Sequence, residues 1–78
     1  MDVVKKDGSS EAFDKSKIAK GCEKAGASAG AAKKVADTVS RKAKDGMSTI
    51  EIGEMAIAEL KKLDAKSGAA FEKYFRSH

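Results

Sequence analysis

The dipeptide Asp7-Gly8 constrains this chain more than any other feature. Asp-Gly between short alternating stretches is a strong β-hairpin signal, because glycine accepts the positive φ that a tight turn requires. Strand segments are therefore expected from Val3 to Lys6 and from Glu11 to Phe13. A helical pattern opens directly after them, and Asp14 fits its N-cap, where a carboxylate accepts a backbone N–H of the first turn. With 78 residues the chain suffices for one small domain, residues 1–78, with a thin core. The hairpin must then fasten to helices to be stable.

The helices are legible from their apolar spacing. Ile18, Cys22 and Ala25 fall on one face of a first helix, and Gly26 supplies its stop. Gly21 lies inside that helix and costs it about 1 kcal/mol relative to alanine, a cost that a close contact with another helix would explain. Ser28 can cap a second helix with Ala32, Val35, Val39 and Ala43 inward, and Gly46 is expected to end it. Residues 46–48 can form one brief extended stretch. Ser48 followed by Glu51 fits a capping box, opening a third helix that carries Ile52, Met55, Ala56, Leu60 and Leu63 inward. Asp64 to Gly68 breaks the pattern. A fourth helix holds Ala70, Phe71, Tyr74 and Phe75 and frays at Ser77 and His78.

Charge narrows the function without fixing it. Sixteen Lys and Arg against twelve Asp and Glu leave a net charge of +4. Such a balance suits nucleotides, nucleic acid or an anionic surface, and equally a plain solvated exterior. Cys22 stands alone, which rules out an internal disulfide framework. The start has no apolar leader core, and no stretch approaches the roughly 18 apolar residues of a membrane span. A cytoplasmic, reduced setting is the expectation.

At the N-terminal end, two adjacent lysines, Lys5 and Lys6, precede the turn, and Lys17 sits on the first turn of the following helix. Ammonium groups beside the orphan N–H groups of a helix N-terminus make a plausible polyphosphate site. A lysine there opposes the helix dipole, which mildly favours a functional reading. The competing reading is a lysine-guarded edge strand.

These residues carry a family resemblance. Val3-Val4-Lys5-Lys6-Asp7-Gly8, then Glu11-Ala12-Phe13-Asp14, then Lys17-Ile18 resembles the opening of the ATP-cone domain. Ser48-Thr49-Ile50-Glu51-Ile52-Gly53-Glu54 and Leu60-Lys61-Lys62-Leu63-Asp64 are similar to two further segments of that family, and Phe71 to Arg76 is similar to its ending. The resemblance runs from Val3 to Ser77. It implies an α+β, mainly helical fold: a four-helix bundle capped by a small three-stranded sheet made of the hairpin and one short strand.

The resemblance also implies a site. Lys5 and Lys6 match the family's phosphate-contacting pair, with lysine where arginine is common, at the cost of the bidentate fork. Val3 matches an apolar residue near the adenine, and Glu11 one that approaches the base or ribose. Asp14, Lys17, Thr49 and Gly53 match further nucleotide-side positions. Gly53 would let the adenine or a neighbouring strand approach closely. Where the family often has larger side chains, this chain has Lys66-Ser67-Gly68-Ala69-Ala70, which puts cone-to-cone packing and a second nucleotide in doubt and leads to the expectation of a short or loosely docked fourth helix.

The expected ligand is ATP or dATP, with or without Mg, and the expected role is regulatory and non-catalytic. No phosphate-loop motif, nucleophile–base pair or metal-ligand cluster is visible. Partners implied are adenine nucleotides, a ribonucleotide reductase or transcriptional regulator, or a second copy of the chain. The resemblance leaves two alternatives open: a degenerate cone retained for protein contacts or oligomerisation, and a basic helical domain that contacts nucleic acid through Lys33, Lys34, Arg41, Lys42 and Lys44. Nucleic acid ranks last, because aromatic stacking residues are scarce.

Overall fold

The structure, a computed structural model, describes residues 1–77. His78, expected to fray and to lack metal-ligand partners, lies outside the described residues. Strand β1 (Asp2–Val4) pairs antiparallel with β2 (Ser10–Ala12), in the register Asp2 to Ala12, Val3 to Glu11 and Val4 to Ser10. Helices α1 (Lys15–Lys24), α2 (Ala29–Lys42), α3 (Thr49–Leu63) and α4 (Ala65–Arg76) follow. The class is mainly helical with a small antiparallel sheet, as the pattern of residues requires.

Both strands lie earlier in the chain than expected, and the turn takes up residues 5–9, which ends β1 at Val4. Gly8 has φ of +87°. Its N–H donates to the Lys5 carbonyl at 3.0 Å, and the Lys5 N–H donates to the Ser9 carbonyl at 2.8 Å. The Asp7 carboxylate accepts from the Ser9 N–H and hydroxyl at 2.9 and 2.6 Å. Lys5 and Lys6 thus belong to the loop.

The third strand does not form. Ser48 makes a single parallel bridge to Val4, supported by Val4 N–H to the Met47 carbonyl and Gly46 N–H to the Asp2 carbonyl, both 2.9 Å. Gly46 turns the chain at φ of +86° and Ser48 is already the N-cap of α3. No length remains for a strand between the turn and the cap. The sheet has two strands.

Three helix caps match their residues. Asp14 accepts from the Ser16 N–H, Ser28 from Ala31 N–H and Ser48 from Glu51 N–H. Gly26, at φ of +104°, closes α1. The second helix stops at Lys42, before Gly46, because Ala43 has turned extended.

Asp64 ends α3 and begins α4. Its carboxylate accepts from the Ser67 N–H at 3.2 Å and from the Ser67 hydroxyl at 2.7 Å, which satisfies the buried Ser67. The residues expected to break the pattern therefore form the first turn of a twelve-residue helix. Gly68 makes close docking possible: a Cβ there would lie 2.5 Å from Lys61 Cγ. The fourth helix is neither short nor loose.

Helix α1 packs on α2 and α4, and α3 packs on the same two. Cys22, Val35, Val39 and Leu60 are fully buried between them. Phe71 lies over Gly21, where an added Cβ would stand 3.4 Å from its ring. This is the close contact that Gly21 was expected to serve. Leu63, expected inside, is 44% exposed, and Ile57 is buried in its stead, because α3 ends at Leu63 just before the chain turns away.

Candidate functional site

The pairing of Val3 with Glu11 puts their side chains on one face of the hairpin, since direct cross-strand partners share a face. Val3 is buried on that face. Beneath it a cavity of about 100 Å³ opens against the first turns of α1 and α3. Val3, Phe13, Ile18 and Ile52 give it an apolar lining, and Glu11, Asp14, Lys17 and Thr49 give it polar edges. Pockets that enclose a drug-sized ligand run from about 300 Å³ upward, so this one admits a flat ring and leaves the rest of a larger ligand outside.

The electrostatics centre on Glu11. Its Oε2 stands 3.6 Å from Lys5 Nζ and 3.8 Å from Lys17 Nζ. One carboxylate oxygen thereby draws together an ammonium from the turn and another from α1. Both lysines are about half or more exposed, and pairs of this kind are worth at most about 1 kcal/mol. They remain available to a more highly charged anion. Asp14 borders the same cavity, and its hydrogen bonds from the Ser16 hydroxyl and N–H hold its carboxyl below the ordinary aspartate value.

Five expected site residues, Val3, Glu11, Asp14, Lys17 and Thr49, line this cavity, and Lys5 reaches its rim through Glu11. Lys6 does not join them. It borders a separate cavity with Ile50, Glu54, Phe75 and Arg76, on the turn that follows β1. Gly53 also lies apart: the space a side chain would take is filled by the Phe75 ring. Arg76 is tied to Glu54 at 3.0 Å and to Glu72 at 3.1 Å, and Glu72 also receives Lys61 at 2.6 Å.

Phe13, Ile18 and Ile52 were read only as strand or core residues. A signal for them was present. Ile18 is four residues from the capping Asp14, and Ile52 three from Thr49, so each shares a helical face with a polar site residue.

Among the described residues no cluster of His, Cys, Asp or Glu could hold a metal ion. Cys22 is buried, and burial pushes its thiol up to about 11, which leaves it protonated and inert at neutral pH. No helix of the described residues is long and apolar enough to cross a membrane.

The family model described as ATP cone domain matches residues 1–77. The transcriptional repressor NrdR of Carboxydothermus hydrogenoformans is 38% identical over 82 aligned positions, covering 95% of this chain and 53% of the repressor. NrdR of Caldicellulosiruptor saccharolyticus is likewise 38% identical over 82 positions, covering 95% and 54%. The chain spans about half the length of the curated relatives it matches.

Proposed function

The chain belongs to the ATP-cone domain family, a nucleotide-sensing regulatory domain, and on that premise we propose that it binds ATP or dATP at the cavity beneath Val3 and works by changing an association rather than by catalysis. The observation that carries this reading is the convergence of Val3, Glu11, Asp14, Lys17 and Thr49 on one cavity. The adenine enters against Val3, Ile18 and Ile52. Ribose and phosphates stay at the surface, where Lys5 and Lys17 exchange the Glu11 carboxylate for phosphate oxygens. Charged hydrogen bonds of that kind contribute about 1.5–3 kcal/mol each. Magnesium, when present, rides on the phosphates.

Regulation requires that the nucleotide bind two association states unequally, since equal affinity shifts no population. ATP and dATP differ only in the ribose 2′-hydroxyl, so discrimination must rest on the residues that meet the sugar. The partner is a transcriptional regulator, a ribonucleotide reductase or a second copy of the chain; the names of the relatives favour the first.

A second reading has one observation behind it. Lys6, half of the expected phosphate pair, borders a different cavity from Glu11 and Lys17. A cone that keeps its fold for protein contacts alone would tolerate that separation. Amide chemical shifts titrated with Mg-ATP, dATP and GTP decide between the two. Saturable shifts at Val3, Glu11, Lys17 and Thr49 with GTP inert are expected. Unmoved spectra at millimolar ATP in a folded sample would leave the contact-only reading.

A further inference from the structure

The lysines of this chain divide sharply by their surroundings. Lys15, Lys42, Lys61 and Lys62 each reach a carboxylate, and Lys5 and Lys17 share Glu11. Of the lysines that form no ion pair among the described residues, Lys33, Lys34 and Lys44 lie on or just after α2, whereas Lys20 and Lys24 lie on α1 and Lys66 and Lys73 on α4. The Lys20 and Lys66 ammonium groups feel Asp14 and Asp64 only at longer range, although the Lys66 backbone N–H bonds to the Asp64 carboxylate. The four on α1 and α4 lie on the outer faces of two helices that pack against each other. Lys20 and Lys24 are one turn apart on α1, and Lys66 and Lys73 stand one turn either side of Ala70.

Between those helices runs a groove of about 270 Å³ lined by Gly21, Lys24, Ala25, Ala70 and Tyr74. Its floor is small because Gly21 lies under Phe71 and the helices approach closely there. Tyr74 stands at its edge with 52% of its surface exposed. Lys24 lines this slot, and Lys20, Lys66 and Lys73 follow one turn from its lining residues. Cations in such a row with an exposed aromatic ring are the two elements that hold a single strand of nucleic acid, since lysines follow the phosphates and the ring stacks a base.

We propose that the α1–α4 groove binds single-stranded nucleic acid, with Lys20, Lys24, Lys66 and Lys73 on the phosphodiester backbone and Tyr74 stacked on one base. The outer face of α2, suggested by the sequence, is a poorer choice. Asp37 sits among its cations, Lys42 is committed to Glu59, and it has no aromatic residue. Double-stranded DNA fits the groove less well, because its bases are not free to stack on Tyr74. An acidic protein segment would match the charge and leave the ring without a role.

The test is a fluorescence anisotropy titration with a labelled fifteen-residue oligothymidylate, a duplex of the same length and a polyglutamate peptide, all without nucleotide. Saturable binding of the single strand is expected, with log K falling against log salt by about 0.7 per neutralised phosphate. Lys24→Ala should shallow that slope by about one such increment. Tyr74→Ala should weaken binding about fivefold or more, and Tyr74→Phe, which keeps the ring, should not. Saturating Mg-ATP should not compete, which separates this surface from the cavity beneath Val3. The proposal is overturned by absent binding, by a duplex or polyglutamate bound more tightly than the single strand, by Tyr74→Ala leaving affinity unchanged, by competition from ATP, or by Lys33→Glu costing as much as Lys24→Glu.

Discussion

Gly68 of α4 rests on the backbone of Lys61 in α3, so closely that a Cβ at position 68 would lie 2.7 Å from the Lys61 Cα and 2.8 Å from its N. Backbone cannot move aside as a flexible side chain can. Gly68→Ala should therefore destabilise the fold by about 1–3 kcal/mol through overpacking, despite the better helix propensity of alanine. Gly21→Ala meets only the edge of the Phe71 ring at 3.4 Å. Its propensity gain of about 1 kcal/mol should offset the contact, so that it is neutral or mildly stabilising. Urea denaturation of the two variants checks the contrast; an equal loss at both sites would contradict it.

Glu11 lies between Lys5 and Lys17, where the proposed binding mode puts the phosphate chain. Glu11→Gln should raise the affinity for inorganic tripolyphosphate, because a repelling carboxylate is gone. The same change should not raise ATP affinity in step if the carboxylate also meets the base or ribose. Lys17→Ala should weaken ATP binding about tenfold or more, the loss of one charged hydrogen bond, with little change in stability. Calorimetric titration with both ligands measures this. Tripolyphosphate affinity that falls in Glu11→Gln would show that the carboxylate does not compete for the lysines.

Cys22 is fully buried between the helices, with its thiol held up to about 11. It should react with a disulfide reagent only as fast as the protein unfolds, at neutral pH and below. Rapid labelling of the folded chain would place the thiol at the surface.

Asp7, Asp14 and Asp64 each accept hydrogen bonds from a serine two or three residues on, and each is held below the ordinary aspartate value by them. Glu59 and Glu72 are lowered chiefly by hydrogen bonds from Lys42 and Lys61. A carboxyl whose folded value lies below its unfolded one stabilises the fold above the unfolded value. That contribution disappears as pH falls through the folded value. Thermal stability should thus hold steady from neutral pH down to about 5 and decline progressively below about 4. Asp64→Asn should flatten part of that decline. Melting curves followed by circular dichroism give the profile.

Local chemistry was the most legible part of this chain. Asp14, Ser28 and Ser48 cap helices as their types require, and Gly8 and Gly26 adopt the positive φ their positions suggested. What escaped the sequence was set by contacts between distant segments. Asp64 to Gly68 read as a break, yet Gly68 makes that stretch the point where α4 touches α3. The third strand failed because a turn glycine and a helix cap left it no room. At the site, Val3, Glu11, Asp14, Lys17 and Thr49 line one cavity, while Lys6, on the turn, borders another and the space beside Gly53 is filled by the Phe75 ring.

Asp64 caps two helices at once, and this extended residue is all that stands between them. Each residue of a helix advances the chain by about 100°. One residue inserted at this corner would swing Gly68 off Lys61 and Phe75 off Gly53 together, whatever its side chain. The joint therefore tolerates a change of letter far better than a change of length, and an insertion scan across residues 62–66 should find its sharpest loss of folding there.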